Sequence, residues 1–266
     1  MSAEPFNTGA RTLADRHAVV TGGARGIGAA VTRALLDHGA RVTMLGRSAI
    51  ARTEMITTFG AGQPLEYLQA DVGNAGEVAR AFESARGRSG TVDILVNNAG
   101  QGASAPFRLT DAALWRTMMR VNLDGTYHCT QAVLSSMVEA RWGRIVNIAS
   151  TAGLVGYAYV SAYCAAKHGV IGLTRALAIE VAAKGVTVNA VCPGFTATEM
   201  FDQSVAKIVA KTGRTPEQAV AELLAKNPQA RLVQPEEVAN AVAWLCLPGS
   251  EAVTGQSITV AGGEVT

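Results

Sequence analysis

Short apolar runs alternate with amphipathic segments along nearly the whole chain, and no other feature constrains its fold as strongly. His17 to Thr21 (HAVVT), Arg41 to Gly46 (RVTMLG), Pro64 to Ala70 (PLEYLQA), Val92 to Val96 (VDILV), Arg144 to Ala149 (RIVNIA), Val186 to Val191 (VTVNAV) and Gln256 to Val260 read as strands. Between them lie segments of helical period. Ala29 to His38 carries a stripe of Val31, Leu35 and Leu36 with Ile27 just before it, and Asn74 to Arg86 opens on an Asn cap. Thr110 to Ala140 places Leu114, Met118, Val121, Val133 and Met137 at near-helical intervals, which predicts one long or kinked helix. A helix around Tyr163 and another over Pro235 to Leu245 complete the series. The alternation predicts an α/β protein with a doubly wound, Rossmann-type parallel sheet, helices on both faces, and ligands at the carboxyl ends of the strands.

A chain of 266 residues suffices for one large domain, and no shift in composition asks for two. We therefore expect an N-terminal extension over residues 1–12 and a single domain over residues 13–266. Glu199 to Asn227 interrupts the alternation with two helical pieces split by Gly213 and Pro216. Their apolar positions, Phe201, Val205, Ile208 and Val209, then Val220, Leu223 and Leu224, predict a helical lid over a substrate. A net charge of +2 excludes a broad basic field for nucleic acid. Four scattered cysteines and four scattered histidines show no ligand spacing, so no metal site is expected. The N-terminus lacks a leader pattern and no apolar run approaches the ~18 residues of a membrane span, which points to a cytoplasmic protein with reduced thiols.

The chemistry-bearing positions cluster at predicted strand ends. The first strand runs into Gly22-Gly-Ala-Arg-Gly-Ile-Gly28 and then a helix, an arrangement that lets backbone amides and a helix N-terminus meet a pyrophosphate. The spacing of Gly22, Gly26 and Gly28 is not that of the common dinucleotide fingerprint, and a purely structural turn accounts for it equally well. At the end of the second strand, where a carboxylate would accept from the ribose of NAD, the chain has Gly46 and Arg47. Arg47 and Arg25 together suit a 2′-phosphate, hence NADP(H), unless both are simply solvated. Asp71 and Val72 follow the third strand, where Asp71 either receives a donor from adenine or caps a turn. Asn97-Asn-Ala-Gly100 leaves the fourth with small and amide residues able to approach a ligand.

Ser150 ends the fifth strand, and thirteen residues on come Tyr163 and Lys167, four apart and so on one helical face. A neighbouring ammonium would lower the pKa of the Tyr163 phenol and fit it for proton transfer. The spacing alone is common, so the pair needs the rest of the chain to support it. Asn122, in the apolar part of the long segment, is a poor helix former that predicts a local kink with a trapped water or a simple buried amide.

With TG-x-x-x-G-x-G at Thr21 to Gly28, NNAG at Asn97 to Gly100, Asn122, Ser150, Y-x-x-x-K at Tyr163 to Lys167 and PG at Pro193 to Gly194, the chain resembles the short-chain dehydrogenase/reductase family from Leu13 to Gly263. The resemblance implies a catalytic tetrad of Asn122, Ser150, Tyr163 and Lys167, with Ser150 on the substrate carbonyl, Tyr163 as proton donor and Asn122 holding a water that refills the proton through Lys167. It also implies that Gly22, Arg25, Gly26, Ile27 and Gly28 form the cofactor turn and that Asn98, Ala99 and Gly100 line the cofactor. Lys167 and Tyr163 would contact its ribose, and Pro193, Gly194 and Thr196 its carboxamide side. The phrases VNAVCPGF (Val188 to Phe195) and VQPEEV (Val233 to Val238) look like those of 3-oxoacyl reductases and aromatic polyketide ketoreductases. The implied activity is NADP(H)-dependent interconversion of a ketone and a secondary alcohol, with a 3-oxoacyl thioester or polyketide as substrate. Alternatives are a dehydrogenase of a cyclic, aromatic or steroid alcohol, or a catalytically silent NADP-binding sensor. By the same resemblance Arg141 and Lys184 would meet an acyl carrier protein, and the chain would form a homotetramer.

Overall fold

The computed structural model describes residues 12–49 and 52–266, so most of the expected extension over residues 1–12 lies outside the described residues. Seven strands, β1 (His17–Thr21), β2 (Arg41–Gly46), β3 (Leu65–Gln69), β4 (Ile94–Asn97), β5 (Gly143–Ile148), β6 (Val186–Pro193) and β7 (Ser257–Val260), form one sheet in the order β3-β2-β1-β4-β5-β6-β7. Every pairing is parallel. The order reverses between β1 and β4, which opens a crevice there at the carboxyl ends of the strands.

Successive strand residues point to opposite faces, and here both are apolar because both faces are covered. Val20, Val42, Met44 and Val146 pack with Val31 and Leu35 of α1 (Gly26–Asp37) and Val238 and Val242 of α9 (Pro235–Cys246). Their neighbours Val19, Leu45 and Ile145 turn the other way, onto Phe82 of α3 (Ala75–Ser89), Val133 and Met137 of α5 (Gly125–Ala140) and Leu177 of α6 (Ser161–Val181). Asn74 caps α3 as expected, its side chain accepting from the amides of Gly76 and Glu77. The short α2 (Arg52–Phe59) has no continuous apolar stripe, and periodicity therefore assigns it no element.

The segment expected as one long or kinked helix is α4 (Ala112–Met119), a π-helical turn (Arg120–Asp124) and α5. One extra residue per turn places Asn122 inside the bundle without breaking the helical path. The segment expected to form a lid holds α7 (Glu199–Thr212) and α8 (Pro216–Leu224), separated at Gly213, whose φ of 69° stops α7. Thr215 and Gln218 then start α8 with a capping box. Phe201 and Ala219 are buried and Val205, Ile208, Val209, Val220, Leu223 and Leu224 half-buried, so the apolar faces of both helices turn inward. No helix among the described residues is long and apolar enough to cross a membrane. Among the same residues no His/Cys/Asp/Glu group is arranged to hold a metal ion.

Parallel topology sorts the loops onto two edges of the sheet. Gly22, Asn98, Ser150 and Gly194 all leave strands and share one edge. Arg141 and Lys184, expected to meet an acyl carrier protein, precede β5 and β6 and so lie on the other edge, away from Ser150. They do belong to neighbouring turns, because Arg141 Nη2 donates to Ala183 O at 3.2 Å.

Candidate active site

The glycine turn is bolted to the end of β4. Thr21 Oγ1 accepts from the amides of Asn98 (3.0 Å) and Ala99 (2.9 Å), and Asn98 Nδ2 donates to the carbonyls of Thr21 (2.9 Å) and Gly22 (3.2 Å). Asn98 thus serves the turn with its side chain. Gly22 adopts φ +65°, and a Cβ on Gly28 would fall 2.0 Å from Gly22 O, so the start of α1 is pressed against the turn. Arg25 at the N-cap makes no side-chain hydrogen bond to the helix amides, and the first turn contains no acid. The orphan amides of an uncapped, unneutralised helix N-terminus suit a pyrophosphate, and the residues present therefore fit a dinucleotide.

Around the ribose end the picture is more particular. Arg25 Nη1 donates to Glu199 Oε2 at 3.0 Å, which links the turn to the first residue of α7. With side chains 77% and 62% exposed the pair is weak and does not immobilise either partner. Asp71 caps the turn after β3, the second of its two expected roles: Oδ1 accepts from Gly73 N at 2.9 Å and Oδ2 from Arg120 Nη1 at 2.8 Å. Burial pushes its carboxyl up, but the Arg120 hydrogen bond, the Gly73 amide and the charges of Arg120 and Arg47 outweigh it and hold its pKa below the usual value. Val72 is buried against Gly125, and Ile27 packs on the α1 side of the core.

Ser150 stands two residues beyond β5 in extended backbone, and its Oγ accepts from Ala152 N at 3.1 Å. Tyr163, in the first turn of α6, comes near enough to Ser150 for the serine hydroxyl to favour its ionised form. Lys167 is 4% exposed, donates from Nζ to Ile148 O at 2.8 Å, and lies 5.7 Å from the centre of the Tyr163 ring. The three residues expected to act together are together. Their electrostatics differ from expectation, however. Burial pushes the Tyr163 phenol above its ordinary value, and the Ser150 hydroxyl only partly opposes it. Lys167 is pushed down to about 8 by burial, with Cys192 opposing. Desolvation penalises both charged forms, so the expected lowering of the phenol by its neighbour is absent.

Asn122 is a buried amide in the π-helical turn. Its Nδ2 donates to Gln101 O and Met118 O, both at 3.0 Å, and its Oδ1 accepts from Gln101 N at 3.2 Å. Both amide protons are committed to backbone, so the side chain braces the loop after β4. A Cβ on Gly100 would lie 2.8 Å from Asn122 Oδ1 and 3.7 Å from Lys167 Nζ, which puts that loop between the two. Gly194 N donates to Val260 O at 3.0 Å and Thr196 Oγ1 to Gly194 O at 3.0 Å, so Pro193, Gly194 and Thr196 leave β6 in a braced turn. Two residues without a sequence signal join this edge. Tyr157 Oη donates to Glu264 Oε1 at 2.6 Å, and the other carboxylate oxygen lies 2.8 Å from where a Cβ on Gly194 would be.

A doubly wound sheet with an anion-accepting glycine turn at its reversal, and a serine, phenol and ammonium on the adjoining strand and helix, defines a dinucleotide-dependent oxidoreductase. Residues 16–209 match the model of the short chain dehydrogenases, and the chain belongs to that family. It is 41% identical over 251 residues to a Streptomyces coelicolor protein described as a ketoacyl reductase, covering 92% of this chain and 95% of that one. It is 37% identical over 255 residues to a D-beta-hydroxybutyrate dehydrogenase of Cupriavidus necator, covering 95% and 99%. A crystal structure of a variant of actinorhodin polyketide ketoreductase with NADPH superposes with a TM-score of 0.89 at 38% identity, covering 94% of this chain and 97% of that one.

Proposed function

We propose that this oxidoreductase reduces a ketone to a secondary alcohol with NADPH, and that its substrate is a 3-oxoacyl thioester or related polyketide. The observation that carries the reading is the meeting of Tyr163 and Lys167 with the end of β5 and Ser150, on the same edge of the sheet as the uncapped start of α1. The bound cofactor supplies the hydride. Ser150 Oγ hydrogen-bonds the substrate carbonyl oxygen, and the Tyr163 O–H bond breaks to give that oxygen its proton. A phenol raised above its ordinary pKa stays protonated through neutrality, as a donor in the reductive direction must. Lys167, held by the Ile148 carbonyl, stabilises the phenolate left behind and returns a proton to it. Asn122 acts through backbone, fixing the loop of Asn98, Ala99 and Gly100 against Lys167.

The substrate class draws on the ketoacyl reductase and ketoreductase likenesses and on the inward apolar faces of α7 and α8. The test follows NADPH absorbance with 3-oxoacyl thioesters, cyclic ketones and free 3-oxobutyrate. Thioesters turned over with the highest kcat/KM support the reading. Preference for the free acid supports the second reading, a short hydroxy-acid dehydrogenase, which the Cupriavidus necator likeness favours. Tight NADPH binding with no turnover on any of them would mark a sensor. Trp115, Tyr127 and Ile179, exposed on α4, α5 and α6, support assembly into the expected homotetramer.

Two further outcomes follow. Arg47→Asp exchanges a phosphate-binding cation for a ribose-binding carboxylate and is expected to move the NADPH-to-NADH ratio of kcat/KM towards NADH by about 10²-fold or more. An unchanged ratio would remove Arg47 from cofactor recognition. The pH profile has a definite sign. Lys167 loses its proton near pH 8, so the reduction rate is expected to be level through neutrality and to fall above about that value.

A further inference from the structure

Position 46 ends β2, where a doubly wound fold meets the ribose, and its lack of a side chain has a structural cause. A Cβ there would fall 2.5 Å from Tyr67 Oη and 3.3 Å from Tyr67 Cζ. Tyr67 and Gln69 alternate on β3 and project to the same side; in register, Tyr67 lies opposite Met44 and Gln69 opposite Gly46. Both reach over the end of β2. Tyr67 Oη donates to Ser48 O at 2.5 Å, and Gln69 Nε2 donates to Arg47 O at 2.8 Å. Two consecutive carbonyls of the turn that carries Arg47 are therefore held by side chains of the neighbouring strand.

Resting on the NADPH reading above, we propose that Tyr67 and Gln69 are positioning residues for cofactor choice: they hold the Arg47 turn, and Tyr67 excludes from position 46 the carboxylate that NAD would require. The hydroxyl is tethered to Ser48, so it cannot yield to a larger residue at 46 without giving up that bond. The space beside the adenosine ribose is then left to the guanidinium of Arg47, which suits a 2′-phosphate.

The test measures Kd for NADPH and NADH by cofactor fluorescence, with melting temperature as a check on folding. Tyr67→Phe keeps the ring and loses only the tether, and is expected to weaken NADPH about three- to tenfold while changing NADH less than about threefold, as for one lost hydrogen bond. Gln69→Leu is expected to do the same. Gly46→Asp is expected to bind NADH poorly alone and at least about tenfold better with Tyr67→Ala, a coupling that neighbours in contact produce. A parent chain that prefers NADH would overturn the cofactor reading and this proposal with it. A parent chain that prefers NADPH, with its ratio preserved in Tyr67→Phe and Gln69→Leu or with Gly46→Asp accepting NADH equally well alone, would overturn the proposal and leave the reading standing.

Discussion

Tyr163→Phe is expected to bind NADPH as the parent chain does and to reduce ketones about 10²- to 10⁴-fold more slowly, the range that loss of a positioned proton donor commands. The substitution removes one hydroxyl and leaves the ring that packs near Lys167, so α6 and the Lys167–Ile148 hydrogen bond should persist. What disappears is the O–H nearest Ser150, the group assigned to donate the proton. Lys167 does not substitute for it, since its Nζ is turned to the Ile148 carbonyl beneath the ring. The measurement is single-turnover reduction beside a cofactor Kd. A variant that kept most of its kcat would show that Tyr163 is not the donor.

Gly28→Ala is expected to abolish tight cofactor binding and to destabilise the chain by about 1–3 kcal/mol, the usual range for an added methyl without room. The methyl would lie 2.0 Å from Gly22 O and 2.6 Å from Asn98 Nδ2, so it must push the start of α1 off the turn or pull Asn98 from its two carbonyls. Either movement disperses the amides on which an anion would rest. A control at Gly172, where an added Cβ meets nothing within 4 Å, should bind cofactor as the parent does. If Gly28→Ala bound NADPH normally, the turn would not be the pyrophosphate site.

The fold was legible because a doubly wound sheet writes itself locally. Each strand from β1 to β7 is an apolar run with a breaker near its end, and coverage on both faces keeps Val19 and Val20 alike apolar. The helices α7 and α8 were legible through Gly213 and Pro216, and α2 was not, because its surface position leaves no stripe in RTEMITTF. At the site, the shared face of Tyr163 and Lys167 was readable from spacing, since four residues on a helix fix a face whatever surrounds it, and Ser150 from its place at a strand end.

Their protonation was not readable. The spacing pointed to a lowered phenol, whereas the pKa of a group depends on everything that excludes water from it, and that is known only once β5, β6 and α6 close around Lys167. The same holds for residues whose partners are remote in sequence: Arg25 meets Glu199, Tyr157 meets Glu264, and Asn122 spends its amide on Gln101. The sequence by itself determined the order of strands and helices, the glycine turn and the face shared by Tyr163 and Lys167, all consequences of neighbours a few residues apart. Only the tertiary structure decided which edge each loop reaches, which hydrogen bonds occupy each side chain and which charges are buried, because those depend on segments that meet across the sheet.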